Sequence, residues 1–317
     1  MQMCMAVFCT HKPCYERKNM TIKEFSGNMK KAVENILGEG YSIEEALIDK
    51  NNGVQLDALV IRAPGMNIAP TIYLRSYYEN YEDGESLQEG AVRLAEDYRK
   101  AMPEDGFDVS FYEDYECVKK GLSYKLISAE RNAELLMNIP YVPFLDLAIV
   151  FYYAFEKSGL PDGSILIKNK HMEMWGVSTE QLMKDARENA PKSLPGICRD
   201  MWSVLERIYP GKAEEVIPEN EPVLPMYVLS NSRMINGAAA MLYPDILHNL
   251  SETLKSDLYI IPSSVHEVIV FARNMADDEM SLREMIRTVN QTQLEPQDVL
   301  SDSLYFYDRK DEKISIA

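Results

Sequence analysis

Short apolar runs, one longer helical pattern and compact polar turns alternate most clearly between Met226 and Phe271. From Met226 to the C-terminus the spacing of apolar residues predicts a strand at 226–230, a helix at about 234–255, strands at 257–262 and 267–272, a helix at 282–291 and a terminal pair of strands. Gly237 and Pro244 interrupt the first helical pattern. We therefore expect two shorter helices there, with Pro244 in the first turn of the second, where its missing N–H costs no hydrogen bond.

Several helix starts are marked by polar pairs with the spacing of a capping box. In this motif a hydroxyl and a carboxylate or amide three positions later satisfy the free N–H groups of the first turn. The pairs are Thr21 with Glu24, Ser86 with Glu89, Ser178 with Gln181, and Ser281 with Glu284. They predict helices that run from these positions to about residues 37, 101, 189 and 291.

A hairpin is predicted around Asn52 and Gly53. Both residues tolerate the positive φ angles of a type I′ turn, and the flanking runs 41–49 and 54–62 are rich in strand formers. A third strand at 71–74 precedes the helix that begins at Ser86. The order helix, strand, strand, strand, helix indicates an antiparallel α+β unit.

A second region begins near Pro140, where prolines break helix continuity before the apolar run 144–155. That run indicates a buried strand or a core helix. The pattern then predicts a strand at 164–168, a helical turn at 171–175 and helices at 179–189 and 197–208. The expected fold class is α+β, with mixed, largely antiparallel sheets, helices packed on them and two packed regions, 20–138 and 139–317.

Residues 1–19 differ from the rest of the chain, because they hold three of its five cysteines and give way to the capped helix at Thr21. We interpret them as a non-native or disordered leader, with Met20 as the natural start. The alternative is a zinc knuckle, for which the ligands would be Cys4, Cys9, His11 and Cys14. Their C-x4-C-x-H-x2-C spacing contains one knuckle-like pair, so the leader interpretation is favoured.

The formal net charge is −17 at pH 7, which argues against a protein that binds nucleic acid or anionic membranes through a basic face. No apolar run approaches the roughly 18 residues of a membrane span. Outside the leader only Cys117 and Cys198 remain, which indicates a reducing compartment and no disulfide framework. These features predict a soluble, acidic, cytoplasmic protein.

Six segments taken together carry a family resemblance. They lie at 48–56, 69–74, 144–153 (FLDLAIVFYY), 172–182 (MEMWGVSTEQL), 226–244 (MYVLSNSRMINGAAAMLYP) and 258–270 (LYIIPSSVHEVIV). From Met20 to the C-terminus the chain resembles an uncharacterised bacterial family, domain of unknown function 5688. Its second half also resembles, more distantly, another uncharacterised bacterial family with a tryptophan turn and an A-x-x-N helix, here Ala186 and Asn189. Neither resemblance implies a known reaction, ligand or catalytic residue.

The best enzyme hypothesis is a serine hydrolase that uses Ser264 and His266, with Glu267 beside them. A hydroxyl, an imidazole and a carboxylate lie within a few residues there, and Ser263 is a neighbouring hydroxyl. A hydrolase nucleophile normally sits on a tight elbow such as G-x-S-x-G, and no elbow glycine is present. The competing interpretation is a polar turn over 262–267, in which the side chains satisfy backbone groups.

Metal and nucleotide chemistry are not indicated. Three histidines lie outside the leader, His171, His248 and His266, and no two of them have the spacing of metal ligands on one helix. The phosphate-cradling loops G-x-G-x-x-G and G-x-x-x-x-G-K-[ST] do not occur. We therefore expect no metal site and no cofactor.

Two polar turns supply the candidate ligand-binding residues, which are Asn169 with His171 and Asn231 with Arg233. If the fold brings the turns face to face, they can recognise a ligand. We therefore predict a binding or interaction protein without catalytic activity, whose partner is an unknown protein or a small molecule. The serine hydrolase is the alternative.

Overall fold

The computed structural model describes residues 20–66, 69–102, 110–155, 163–211, 225–262, 264–275 and 278–317. The predicted leader, the proposed zinc ligands within it and Ser263 lie outside these residues. The chain divides into two compact units. The first comprises residues up to 48 together with 56–100, and the second comprises 49–55 together with 101–317.

The first unit combines a small sheet with helices. Its elements are α1 (Ile22–Leu37), β1 (Ser42–Asp49), β2 (Gln55–Arg62), β3 (Thr71–Tyr73), α2 (Arg75–Glu82) and α3 (Leu87–Ala101), and the strand order is β1-β2-β3. The capping box that the sequence predicts for α1 is confirmed, because Thr21 Oγ1 accepts from the N–H of Glu24 at 3.3 Å while the Glu24 carboxylate accepts from the N–H of Thr21 at 2.9 Å. Helix α2 was not predicted, since of its eight residues only Tyr77 is buried.

The hairpin prediction is also confirmed. Asn52 and Gly53 have φ angles of 60° and 69°, the left-handed conformations that the predicted turn requires. Most of the buried apolar residues of the first unit come from β2, from α3 and from one face of α1, which carries Phe25, Met29 and Val33 at a spacing of four. This spacing is the reason that the helical pattern of α1 is legible in the sequence.

The second unit contains two antiparallel sheets. Its elements are α4 (Tyr115–Val118), β4 (Leu122–Ser128), α5 (Ala133–Leu136), β5 (Tyr141–Phe144), β6 (Leu147–Ala154), β7 (Ser164–Leu166), α6 (Asn169–Trp175), α7 (Thr179–Ser193), β8 (Gly196–Asp200), α8 (Met201–Ile208), β9 (Met226–Asn231), α9 (Ile246–Leu254), β10 (Leu258–Ile261), β11 (Val268–Ala272), α10 (Glu279–Thr292), β12 (Tyr305–Asp308) and β13 (Lys313–Ile316). One sheet has the order β4-β6-β5 with β7 also paired to β6, and the other has the order β13-β12-β10-β11-β9-β8. The α+β class is therefore confirmed.

One apolar core joins the two sheets of the second unit. It contains the faces of β4 and β6 that carry Tyr124 and Phe151, the face of the larger sheet that carries Leu229 and Ile260, and the buried residues of the short 3-10 helix Gly237–Leu242. Most of the apolar run 144–155 forms β6, which is buried on both faces and therefore shows no alternation in the sequence. Within the described parts of the chain, no helix is both long and apolar enough to cross a bilayer.

Three details of the sequence prediction are wrong. The helix expected at 197–208 is a strand, β8, followed by α8, because β8 pairs with β9 and Asp200 caps the helix after it. Pro244 lies before the second helix of its segment, since Asp245, at φ 64°, is the N-cap of α9. Helix α10 begins earlier than Ser281, because the carboxylate of Asp278 accepts from the N–H groups of Met280 and Ser281.

The predicted region boundary between residues 138 and 139 falls inside the second unit. Strands β4 and β6, which lie on either side of it, pair over seven residues from Leu122–Tyr153 to Ser128–Leu147. The division into 20–138 and 139–317 stays a prediction about which parts fold together.

Candidate functional site

The predicted hydrolase residues lie in the turn between β10 and β11. Ser264 is buried, and its Oγ accepts hydrogen bonds from the N–H groups of His266 at 3.0 Å and Glu267 at 3.3 Å. A hydroxyl that accepts from amides two and three residues later is a common way for serine to close a turn. The arrangement has the geometry of the polar-turn interpretation, and the reactivity of Ser264 stays a prediction.

The imidazole of His266 is held by groups other than Ser264. Its Nδ1 accepts from the N–H of Asn236 at 3.3 Å, and its Nε2 lies 3.3 Å from Oδ1 of Asp298. Because a backbone N–H can only donate, these bonds assign the proton to Nε2. Both ring nitrogens are thus engaged, whereas a general base needs an unprotonated nitrogen directed at its nucleophile.

Glu267 is partly buried beside these groups. Burial raises the pKa of its carboxyl, a protonated His266 and a hydrogen bond from Ser264 oppose the rise, and the charge of Asp298 adds to it. Glu267 directly precedes β11, which pairs with β9. At the end of β9, Ser230 Oγ donates to the backbone carbonyl of His266 at 2.7 Å, so the turn is anchored to that strand.

Gly237 permits the close approach of these loops. A Cβ at this position would lie 2.5 Å from the carbonyl oxygen of His266, 2.7 Å from the amide nitrogen of Asn231 and 2.0 Å from Oγ of Ser230. The first two neighbours are backbone atoms that cannot rotate away. The chain therefore requires glycine where the segment after β9 crosses the turn before β11.

The predicted ligand residues Asn231 and Arg233 belong to the turn after β9. Asn231 Oδ1 accepts from the N–H of Arg233 at 3.0 Å, and its Nδ2 donates to the carbonyl of Ile235 at 2.8 Å. The Asn231 side chain thus stabilises its own turn, as asparagine often does. The Arg233 side chain is exposed.

The other predicted pair, Asn169 and His171, lies at the start of α6. Asn169 Nδ2 donates to the carbonyl of Met137 at 3.3 Å, while His171 Nδ1 lies 3.1 Å from both the N–H of Lys168 and the hydroxyl of Tyr112. Burial, with help from nearby lysines, lowers the pKa of His171. None of these bonds reaches the 231–235 turn. A ligand shared by both turns stays a prediction.

A cavity of about 280 Å³ lies between β8, β9 and α8. We call it the arginine cavity; it is lined by Ile197, Arg199, Val204, Arg207, Val228, Ser230 and Met234. The strand register places Ile197 opposite Ser230 and Arg199 opposite Val228, so these four side chains share one face of the sheet. Met234 follows Arg233, and the predicted polar turn therefore forms one rim of the cavity.

The arginine cavity contains two positive charges, those of Arg199 and Arg207. Among the described residues, neither Arg199 nor Arg207 forms an ion pair. The adjacent acids are engaged elsewhere: Asp200 accepts from the N–H and Oγ of Ser203 at 2.8 and 2.6 Å, and Glu206 accepts from the N–H of Gly211 at 2.8 Å. The hydrogen bonds from Ser203 lower the pKa of Asp200 and keep it ionised at its capping position.

Two larger hollows are open grooves. One, of about 460 Å³, is lined by Lys255, Asp257, Arg273 and Arg309, but Arg309 already forms a two-point pair with Glu252 at 2.6 and 2.8 Å. The other, of about 710 Å³, runs along α7 between charges of both signs. The arginine cavity is the more enclosed site, and its charge is of a single sign.

The sequence prediction missed this cavity because it assigned 197–208 to one helix. The available signal was Asp200 with Ser203, which has the spacing of an N-cap and divides the segment into a strand and a helix. With that division, Arg199 lies on a strand and Arg207 on the helix that covers it. The pairing with β9 that closes the cavity has no local signal.

Within the described residues, no group of three or more His, Cys, Asp or Glu side chains is placed to hold a metal ion. The cysteines of the proposed zinc knuckle lie outside those residues.

A family model described as a family of unknown function (DUF5688) matches residues 22–309. Comparison with curated proteins and with solved structures finds no match. The chain belongs to this family of unknown function, as the resemblance of its six segments led us to expect.

Proposed function

We propose that this member of a family of unknown function is a non-catalytic binding protein whose ligand is a small organic anion with an apolar body. The arginine cavity carries the proposal. It combines two guanidinium groups and one hydroxyl with four apolar side chains, Ile197, Val204, Val228 and Met234. Apolar walls with a few polar groups that fix orientation are typical of small-molecule sites.

The charges of the cavity favour an anion. A guanidinium group offers paired N–H donors that match a carboxylate, and the attraction strengthens where apolar walls exclude water. The chain as a whole carries −17, which repels anions at long range. Two arginines outside any described ion pair are therefore a local exception that gives the cavity its selectivity.

The size of the cavity limits the ligand. Its volume of about 280 Å³ lies at the low end of the roughly 300–1,000 Å³ that ligand pockets occupy. We expect a short aliphatic or aromatic acid, with its anionic group between Arg199 and Arg207 and its apolar part against Val228 and Met234.

The absence of catalysis is supported by the hydrogen bonds of the turn before β11. Ser264 Oγ accepts from two backbone amides, and both nitrogens of His266 have other partners. A hydrolase that used these residues would have to break the bond between His266 and Asn236 before the imidazole could accept a proton.

Calorimetric titration with octanoate tests the binding proposal. Octanoate should bind, whereas octylammonium, which has the opposite charge, and acetate, which lacks the apolar chain, should not. Arg199→Gln should weaken octanoate binding about tenfold or more, because a hydrogen bond to a charged group contributes roughly 1.5–3 kcal/mol.

Arg287→Gln is the matched control, because Arg287 is an exposed arginine on α10 away from the cavity and its loss changes the net charge equally. It should leave octanoate binding unchanged. Equal binding of octanoate and octylammonium, or equal losses in the two arginine variants, would refute an arginine-based anion site.

The hydrolase alternative is tested with a fluorophosphonate probe, which reacts with activated serines. We expect no labelling of the wild-type protein, because both nitrogens of His266 bond to groups other than the Ser264 hydroxyl. Labelling that disappears in both Ser264→Ala and His266→Ala, while the variants stay folded by circular dichroism, would replace the binding proposal with the enzyme.

We also infer a cytoplasmic location. The described cysteines, Cys117 and Cys198, are both free thiols, which suits a reducing compartment. Cell fractionation with a periplasmic and a cytoplasmic marker tests this inference, and recovery with the periplasmic marker would contradict it.

A further inference from the structure

The turn after β9, residues 231–236, supplies Met234 to the wall of the arginine cavity and has an unusual backbone. Met234 and Asn236 have φ angles of 55° and 54°, in the left-handed region that residues other than glycine seldom adopt. Such conformations persist where the surrounding structure holds them. Within the turn, the carbonyl of Asn231 accepts from the N–H of Met234 at 3.0 Å, and the Asn231 side chain bonds to two further backbone groups. The shape of this wall therefore depends on a few hydrogen bonds.

One of the bonds that hold the 231–236 turn comes from outside it. The N–H of Asn236 donates to Nδ1 of His266 at 3.3 Å, and on the other side of the ring Nε2 faces Oδ1 of Asp298 at 3.3 Å. Asp298 is itself fixed, because its carbonyl accepts from the N–H of Val265 at 2.8 Å. The His266 imidazole thus ties the 231–236 turn to the turn before β11.

Protonation of His266 removes this tie. A neutral imidazole accepts a hydrogen bond at one nitrogen, whereas an imidazolium donates from both. Because the proton of the neutral ring lies on Nε2, the added proton lies on Nδ1 and faces the N–H of Asn236, so two donors oppose each other. The His266 side chain is 34 % exposed, so protons from the solvent reach it. Histidine is the side chain whose charge ordinarily changes between pH 5 and 8.

The charged groups around the ring accommodate an imidazolium. Asp298 lies against Nε2, and Glu267 is the next residue in the turn before β11. The 231–236 turn contributes Arg233, whose side chain is exposed, and neither β9 nor the 3-10 helix Gly237–Leu242 contains a charged residue. The two carboxylates therefore favour the charged ring, while the N–H of Asn236 opposes its Nδ1–H.

We propose that His266 is a positioning residue of the arginine cavity, whose neutral form holds the 231–236 turn and Met234 in place for the ligand and whose protonated form releases them. This inference rests on the proposed function and adds its regulation: the organic anion binds at neutral pH and is released at mildly acidic pH. Carboxyl groups ordinarily titrate near pH 4 and guanidinium groups above pH 12. At pH 6 the charges of the ligand and of both arginines are thus unchanged, and release comes from the wall of the cavity.

Calorimetric titration with octanoate at pH 8 and pH 6 tests the proposal. Binding should be about threefold to tenfold weaker at pH 6, the range that corresponds to one hydrogen bond. His266→Asn is the informative variant, because an amide oxygen replaces Nδ1 as an acceptor and does not titrate. Its affinity should be similar at both pH values. Equal wild-type affinities at pH 6 and pH 8, or an unchanged pH dependence in His266→Asn, would overturn the proposal.

Two control variants remove other groups that titrate. Burial raises the pKa of the Glu267 carboxyl, so Glu267→Gln tests whether this neighbour causes the pH dependence instead. His248→Asn removes a histidine of α9 that lies beside Glu312. Both variants should keep the pH dependence of the wild type. Its loss in either one would assign the effect to that residue and overturn the role of His266.

Hydrogen exchange of the Asn236 amide provides a readout that needs no ligand. The wild type and His266→Asn are compared at the same pH, so the intrinsic pH dependence of exchange cancels. Their rates should be similar at pH 8, and the wild type should exchange severalfold faster at pH 6. If this difference is found but octanoate binds at neither pH, the proposed function fails and the role of His266 stands. If octanoate binds equally at both pH values and the exchange rates do not differ, the role of His266 fails and the anion site stands.

Discussion

At the residue scale, Gly237 has two roles, one that the sequence indicates and one that only the structure shows. In the sequence it predicts the interruption of a helix. In the structure its small size matters more, since a Cβ would lie 2.5 Å from the carbonyl oxygen of His266 and 2.7 Å from the amide nitrogen of Asn231. The position therefore links the turn that carries Ser264 to the strand that lines the arginine cavity.

We predict that Gly237→Ala lowers the free energy of unfolding by roughly 1–3 kcal/mol or more, because the backbone neighbours have to move. Gly27→Ala is the matched control. Gly27 lies within α1, where a Cβ would meet only the Glu45 carboxylate at 3.8 Å. There alanine should stabilise the protein by about 0.5–1 kcal/mol. Urea denaturation measures both, and equal shifts in the two variants would contradict this account of Gly237.

The sequence identifies the role of a residue when its hydrogen-bond partners lie within the same turn, and it fails when they lie far away along the chain. Thr21 and Glu24 act within their own turn, and their predicted role is confirmed. The partners of His266 are Asn236 and Asp298, which lie about thirty residues away on either side. No local pattern reveals such contacts, so Asp298 and Asn236 were missed while His266 itself was identified.

At the scale of elements, the start of α10 shows that capping-box spacing alone does not identify the N-cap of a helix. Ser281 and Glu284 match a capping box, yet the helix begins at Glu279 and Asp278 is its N-cap. Asp278 accepts from the Ser281 hydroxyl and from the N–H groups of Met280 at 3.0 Å and Ser281 at 3.2 Å, and these bonds, that of the hydroxyl first, lower the pKa of its carboxyl. Two capping candidates lie three residues apart, and an aspartate also benefits from the positive end of the helix dipole.

We therefore predict that Asp278→Ala destabilises the protein by about 1 kcal/mol, the usual loss for an N-cap. Ser281→Ala should change stability by less than about half of that, because the Ser281 hydroxyl only donates to Asp278 Oδ2 at 2.6 Å on the exposed surface. Denaturation midpoints of the two variants compare them directly. A larger loss in Ser281→Ala would restore the capping box that the sequence suggests.

Strands were predictable where one short segment carries the pattern, as in the hairpin around Asn52 and the terminal pair β12 and β13. The strand at 197–200 was not predicted, for the opposite reason. Its strand character comes from pairing with β9, about thirty residues later, from Gly196–Asn231 to Asp200–Tyr227. Because the arginine cavity depends on that pairing, the cavity was missed together with the strand.

At the scale of the whole molecule, the fold class followed from the order of elements, but the sheet order did not. The sequence of strands β13-β12-β10-β11-β9-β8 brings the C-terminal hairpin next to β10, and β4 pairs with β6 across the predicted boundary at 138/139. Such pairings are decided by burial of whole faces rather than by turn residues. Composition does not reveal local charge either, because a net charge of −17 gives no indication of a cavity with two arginines.

At the same scale, burial of the Lys125 ammonium group makes the stability of the whole fold depend on pH. The pKa of Lys125 is about 8 in the folded protein against an ordinary value of 10.5, so between these pH values the unfolded chain binds more protons. The contribution of Lys125 to stability should therefore rise with pH across this window, and below pH 8 its full penalty, at most about 3 kcal/mol, is present. Lys125→Met removes the charge at similar volume.

Lys125→Met should therefore be more stable than the wild type at pH 7 by up to about 3 kcal/mol, and this advantage should fade as the pH approaches 10.5. Urea denaturation of both proteins at pH 7, 8.5 and 10 gives the difference, in which the titration of other groups cancels. Lys120→Met, at an exposed lysine close by in the chain, controls for the loss of charge. If Lys125→Met is instead less stable than the wild type at pH 7, the ammonium group has a stabilising partner in the folded protein.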